Sequence, residues 1–125
     1  MPKITVHASI GPSPRKQFLL EWHTAQAEEN FDFLSDNVMD EIVLQVVGKK
    51  IVEGKEACVT ALTEQLDADI SEWVIHEIIT HGREAAVNGE IHYGDGNVLA
   101  FCDVYTFKNT KANDLRTITA YQIPL

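Results

Sequence analysis

Residues 84–107 read EAAVNGEIHYGDGNVLAFCDVYTF. Two ten-residue stretches rich in β-branched and aromatic side chains flank Gly94-Asp95-Gly96. The glycines follow one strand pattern and lead into another, so they mark a hairpin turn and not a phosphate cradle. With Asp95-Gly96 as a two-residue type I′ turn, Gly94 pairs with Asn97. Asn88 then faces Asp103, Glu90 faces Phe101 and His92 faces Leu99. One face carries Asn88, Glu90, Phe101, Asp103 and Tyr105, a polar and aromatic set suited to a pocket wall. The other carries Val87, Ile91, Ala100, Cys102 and Val104, suited to burial against another sheet or a second subunit. A three-residue loop slips this register by one and undoes the assignment.

Two more strands flank the hairpin, over about 71–80 and 115–123. Their short connections predict antiparallel neighbours. Upstream, the β-branched run Ile42-Val43-Leu44, Val46-Val47, ended by Gly48, predicts another strand. Ser13-Pro14 reads as N-cap and first position of a helix reaching about residue 28, with Phe18, Leu19, Trp22 and Ala25 as its buried stripe. Phe31 and Leu34 mark a shorter helix. Gly54 opens a third, to about Leu66, with Ala57, Cys58, Ala61 and Leu62 turned inward. Residues 3–10 alternate as a short strand or a loose arm. The fold class is α+β, helices on one face of a curved antiparallel sheet. Residues 1–13 form an N-terminal extension and 14–125 a single domain.

The 125 residues are 45% hydrophobic and carry 10 basic against 19 acidic side chains, a formal charge of −9. That size buries a core without metal or disulfide staples. The acidic balance opposes nucleic acid and anionic membranes as partners. No long apolar segment reads as a secretory signal or a membrane span, and Cys58 and Cys102 read as reduced thiols; the expected location is the cytoplasm. His76 and His81 stand five apart, one too many for the zinc motif H-E-x-x-H, and no metal is expected. Dinucleotide, P-loop and nucleophile-elbow motifs are missing, and no cofactor is expected. Asp103 lies in the most apolar strand. A carboxyl there must be paired, hydrogen-bonded or protonated, either as a structural acid held by Asn88 or as a ligand-contacting group of raised pKa. Trp22 is core by default, but its indole N–H needs an acceptor and could face a cavity.

The order of elements, the segment Val52-Glu53-Gly54-Lys55-Glu56-Ala57 and the ending from Ala100-Phe101-Cys102-Asp103-Val104-Tyr105 through 115–123 resemble the nuclear transport factor 2-like superfamily, which includes SnoaL-like proteins and ketosteroid isomerase. The segments 79–82, 85–89 and 100–105 further resemble functionally uncharacterised bacterial members. The resemblance implies a cystatin-like cone, a bent sheet wrapped around the N-terminal helix, with two shorter helices, a deep pocket and homodimers formed through the outer sheet face. It puts Asp103 at the protonated aspartate of the isomerase, Trp22 at its oxyanion tyrosine and Val46 at its general base. Tryptophan cannot ionise and valine cannot accept a proton, so that mechanism does not carry over.

The leading expectation is a homodimer binding a small, largely apolar molecule, with Phe18, Trp22, Asn88, Asp103, Tyr105 and Gln122 at the ligand. One rival is an isomerase, cyclase or epoxide hydrolase using Asp103 or Glu90 as acid or base on a steroid-like, polyketide-like or epoxide substrate. A second titratable group within reach of Asp103 would mark it. The other is a protein-interaction module acting through the outer sheet face, marked by a collapsed cavity beside an exposed apolar patch.

Overall fold

Ser13 starts the first helix as its sequence context requires: its hydroxyl accepts from the Lys16 N–H at 3.3 Å, and Pro14 follows. In this computed structural model, which describes residues 2–64 and 69–125, the helix α1 spans Pro14–Ala27. The order is β1 (Lys3–Val6), α1, α2 (Phe31–Asp36), β2 (Val38–Val46), β3 (Lys50–Glu53), α3 (Lys55–Glu64), β4 (Ile70–His81), β5 (Glu84–Tyr93), β6 (Val98–Phe107) and β7 (Leu115–Pro124). The expected end of the third helix at Leu66 lies outside the described residues. Along α3, Cys58, Val59, Ala61, Leu62 and Thr63 are buried, whereas Ala57 faces out.

One curved sheet holds the seven strands in the order β1-β4-β5-β6-β7-β2-β3. The expected antiparallel run β4-β5-β6-β7 is its centre. Two margins are parallel: β1 lies along β4, and β2 joins β7. The short strand β3, hairpinned onto β2, was not legible beside the stronger β2 pattern.

The β5–β6 register corrects the sequence reading. Tyr93 N–H donates to the Asn97 carbonyl at 2.9 Å, leaving Gly94, Asp95 and Gly96 as a three-residue loop. Gly96 takes φ +92°, the left-handed position that closes such loops. Asp95 braces the turn by accepting from the Asn97 backbone N–H. Val87 therefore faces Asp103, Asn88 faces Cys102, Gly89 faces Phe101 and Glu90 faces Ala100. Strand β5 is rotated by one residue from the two-residue-turn reading, and its side chains exchange faces. Val87 and Ile91 point into the core, at 0% and 6% exposure; Asn88 and Glu90 sit on the outer face.

The concave side packs against α1. Phe18 meets Trp22, Phe33 and Phe107 with ring centroids about 6 Å apart, an aromatic floor under the helix. Arg15 clamps its first turn: the guanidinium lies 3.8 Å from the centroid of the Phe107 ring and donates to the carbonyls of Gly82, Asn109 and Ala112. The sheet bends where β4 has one residue more than β5, at His76 between the pairs Ile75–Gly89 and Glu77–Asn88. A bulge of this kind adds bend and twist.

Gly89 sits opposite that bulge because nothing larger fits. A Cβ there would stand 1.9 Å from the Val74 carbonyl oxygen and 3.0 Å from Phe101 Cζ. Gly89→Ala must push backbone away, so the expected loss is about 3 kcal/mol or more, at the top of the overpacking range. Urea unfolding checks it; an unchanged midpoint would mean that β4 and β5 separate there at little cost.

Candidate functional site

The inner face of β6 presents Phe101, Asp103 and Tyr105 at alternate positions, facing α1. From α1 come His23 and Gln26, both buried, at 0% and 6% exposure. They lie in the same helical arc as Leu19 and Trp22, so a stripe about 100° wide includes them. Strand β4 adds Trp73, paired with Ile91 across the sheet.

These side chains form one polar network in an aromatic shell. The Tyr105 hydroxyl is 2.8 Å from His23 Nε2 and 3.2 Å from Asp103 Oδ2, while His23 Nε2 and Asp103 Oδ2 stand 3.8 Å apart. The His23 ring stacks on Phe101 at 5.3 Å and meets Trp73 and Tyr105 edge-on. Burial disfavours every charged form in this shell. It holds His23 down to about 3 and lifts Asp103 to about 7, against a smaller opposing pull from the Tyr105 hydrogen bond. Tyr105 is pushed well above the ordinary phenol range, first by burial and then by Asp103. The approach of His23 to Asp103 is therefore not an ion pair near neutrality, because the imidazole is uncharged.

Tyr105 has one proton for two acceptors. With Asp103 protonated, two arrangements satisfy the network: the acid donates to the Tyr105 oxygen and Tyr105 to Nε2 of His23, or the acid proton sits on Oδ1 while Tyr105 donates to Oδ2 and His23 donates from Nε2. With Asp103 ionised, Tyr105 donates to the carboxylate and His23 donates from Nε2. In both states Nδ1 is buried without a partner among the described residues. Trp22 Nε1 leans toward the Tyr105 hydroxyl and helps hold its charged form, but falls short of a well-formed hydrogen bond.

Asp103 and Tyr105 line an interior cavity with Gln26, Trp73, Phe101 and Gln122, closed elsewhere by aliphatic side chains. Its volume is about 20 Å³, room for one water-sized group. The deep pocket that the family resemblance implies is largely filled in this conformation. A wider concavity of about 730 Å³ lies elsewhere, along Lys50, Gly54, Lys55 and Thr60. It is an open surface groove without a buried titratable group, so the chemistry belongs to the small interior cavity.

Of the residues singled out in the sequence, Asp103, Tyr105 and Gln122 reach this cavity. Phe18 and Trp22 stand behind it in the aromatic floor. Asn88 and Glu90 are on the opposite face of the sheet, where Asn88 donates to Glu77 and Glu90 lies 3.1 Å from His92 and 3.9 Å from His76. Neither can hold Asp103 or act beside it. Val46, at the isomerase base position, is buried at 2% exposure, and Gln45 faces solvent. His23, Gln26 and Trp73 were missed, although a histidine and a glutamine inside the apolar arc of a helix were the available signal.

The SnoaL-like domain profile matches residues 19–114. Among curated proteins, none matches this chain. Solved structures are similar in fold. A steroid delta-isomerase from Pseudomonas aeruginosa superposes with TM-score 0.72 at 16% identity, over 94% of this chain and 85% of that one. An LEH-like epoxide hydrolase from M. tuberculosis gives 0.67 at 18% identity, over 84% and 75%. An uncharacterised protein with a cystatin-like fold from Silicibacter pomeroyi gives 0.73 at 13% identity, over 91% and 77%. These likenesses are of fold, and three-quarters of the chain falls within the profile: the protein belongs to the SnoaL-like domain family of the nuclear transport factor 2-like superfamily.

Proposed function

We propose that the cone interior binds a small, largely apolar molecule and that Asp103 is the acid presented to it. The observation that carries this reading is the His23–Tyr105–Asp103 network on the wall of an interior cavity. Holding three titratable groups in an apolar shell costs stability, and groups so perturbed cluster at functional sites. Near neutrality Asp103 alone of the three titrates, so it can hydrogen-bond a ligand oxygen as an acid or take a proton as a base.

An enzyme reading has specific support, because Tyr105 lies within hydrogen-bond reach of Asp103 and connects it to His23. Isomerase, cyclase and epoxide hydrolase chemistry all fit a single acid in an apolar site. The ketosteroid isomerase arrangement does not: Val46 offers no base, and Glu90 cannot substitute from the outer face.

We also propose pairing of two copies through the outer sheet face. That face carries Ala86, Ala100, Cys102 and Val104 beside Ile79, Tyr121 and Ile123, which are 59%, 46% and 63% exposed. An exposed apolar patch beside a nearly filled cavity is the mark expected of a protein-interaction module, so this face is better covered than left in water, by a second copy or by another protein. The described residues contain no helix long and apolar enough to cross a membrane. Both cysteines are free, and a reducing cytoplasm would keep them so.

Native mass spectrometry of protein purified from its own host tests both proposals together. The expected result is a dimer mass with a retained small molecule. A ligand-free monomer at micromolar concentration would sink the pairing and leave the pocket without its occupant.

A further inference from the structure

Two buried N–H donors at the cavity have no acceptor among the described residues: Gln26 Nε2 and Trp73 Nε1. Both residues line the cavity beside Asp103, at 6% and 3% exposure. They reach it from different elements, α1 and β4. An unmet buried donor costs about 1–3 kcal/mol, and most folds avoid one. Two at a single cavity is a pattern that a ligand acceptor would complete.

We infer that this cavity receives the oxygen of a neutral carbonyl compound, with Gln26 Nε2 and Trp73 Nε1 as its hydrogen-bond donors. This rests on the pocket reading above and adds the chemistry of the ligand's polar end. Size, charge and surroundings agree. The cavity takes one oxygen-sized group, and its remaining wall, including Leu44, Leu62 and Ile91, is aliphatic. For a larger ligand this wall must part. An anion is disfavoured, because no lysine or arginine lines the cavity among the described residues and the Asp103 carboxyl does. A carbonyl oxygen brings two lone pairs and no hydrogen, so it matches both donors without needing a further acceptor. Gln26 and Trp73 are binding residues in this account; no proton moves through them.

The test compares cyclopentanone with methylenecyclopentane, which keeps the shape and removes the acceptor. Nitrogen-15 NMR follows the two indole N–H signals, assigned with Trp22→Phe and Trp73→Phe. The expected result is a downfield shift of the Trp73 indole proton with cyclopentanone only. Gln26→Leu should weaken cyclopentanone about three- to tenfold, as loss of one neutral hydrogen bond does, and leave the hydrocarbon's affinity unchanged. Should Gln26→Leu unfold, the indole signals of the wild-type protein still decide. Equal binding of both probes without an indole shift would overturn the donor pair and leave the pocket reading standing. Binding of neither, up to their solubility, would overturn both.

Discussion

Asp103→Asn is expected to make the contribution of the Asp103–His23 pair to stability, flat with pH in the wild type, steep. The folded protein holds Asp103 at about 7, raised from 3.8, and His23 at about 3, lowered from 6.5. A raised acid favours the fold at low pH, and that contribution disappears as pH rises from the unfolded value through about 7. A lowered histidine does the reverse: its contribution is complete above about 6.5 and disappears as pH falls toward 3. Between about pH 4 and 6.5 the folded pair carries one proton, on Asp103, and the unfolded pair carries one, on His23. Equal proton counts give zero slope.

Asparagine removes the acid's half of that cancellation. At about 1.4 kcal/mol per unit, the histidine alone then costs about 3 kcal/mol between pH 6.5 and 4. Above pH 7 the variant no longer buries a carboxylate and should gain about 2–4 kcal/mol, the lower figure allowing for an amide N–H left without an acceptor. Urea titrations of both proteins at pH 4, 6 and 8 check this. Parallel curves would mean that Asp103 and His23 do not exchange protonation between the folded and unfolded states.

The four strands and α1 were legible because each repeats a simple period over many residues: alternation from Glu84 to Phe107, and helical spacing from Phe18 to Ala25. Asp103 was legible for a related reason, as a charge out of place within an apolar run. The faces of β5 were not. One residue of loop decides them, and Gly94-Asp95-Gly96 suits a two-residue turn about as well as the three-residue loop observed. That single slip moved Asn88 and Glu90 from the pocket wall to the outer face and made Val87 and Ile91 core. His23 and Gln26 were hidden by another habit of reading: polar side chains on a helix are assigned to water unless the apolar arc is drawn wide enough to enclose them. Trp73 could not be placed before the inner face of β4 was known.

Tyr105→Phe is expected to be costly for what it leaves behind. The ring stays and its packing with His23 is preserved, but His23 Nε2 and Asp103 Oδ2 both lose the hydroxyl between them. Each buried group left without a partner costs about 1–3 kcal/mol, and the 3.8 Å gap between them is too long to be closed by a direct hydrogen bond. The expected destabilisation is about 2–4 kcal/mol. Asp103 should also titrate above about 7, because the Tyr105 hydrogen bond is the influence that lowers it. Carbon-13 NMR of the carboxyl reads this second effect, which packing alone would not move. Adding His23→Leu removes one of the stranded groups and puts an apolar side chain against Phe101 and Trp73, so the double variant should regain part of the loss. This non-additivity is the signature of a shared network. Strictly additive losses, with Asp103 titrating where it does in the wild type, would mean that Tyr105 packs beside the other two without holding them together.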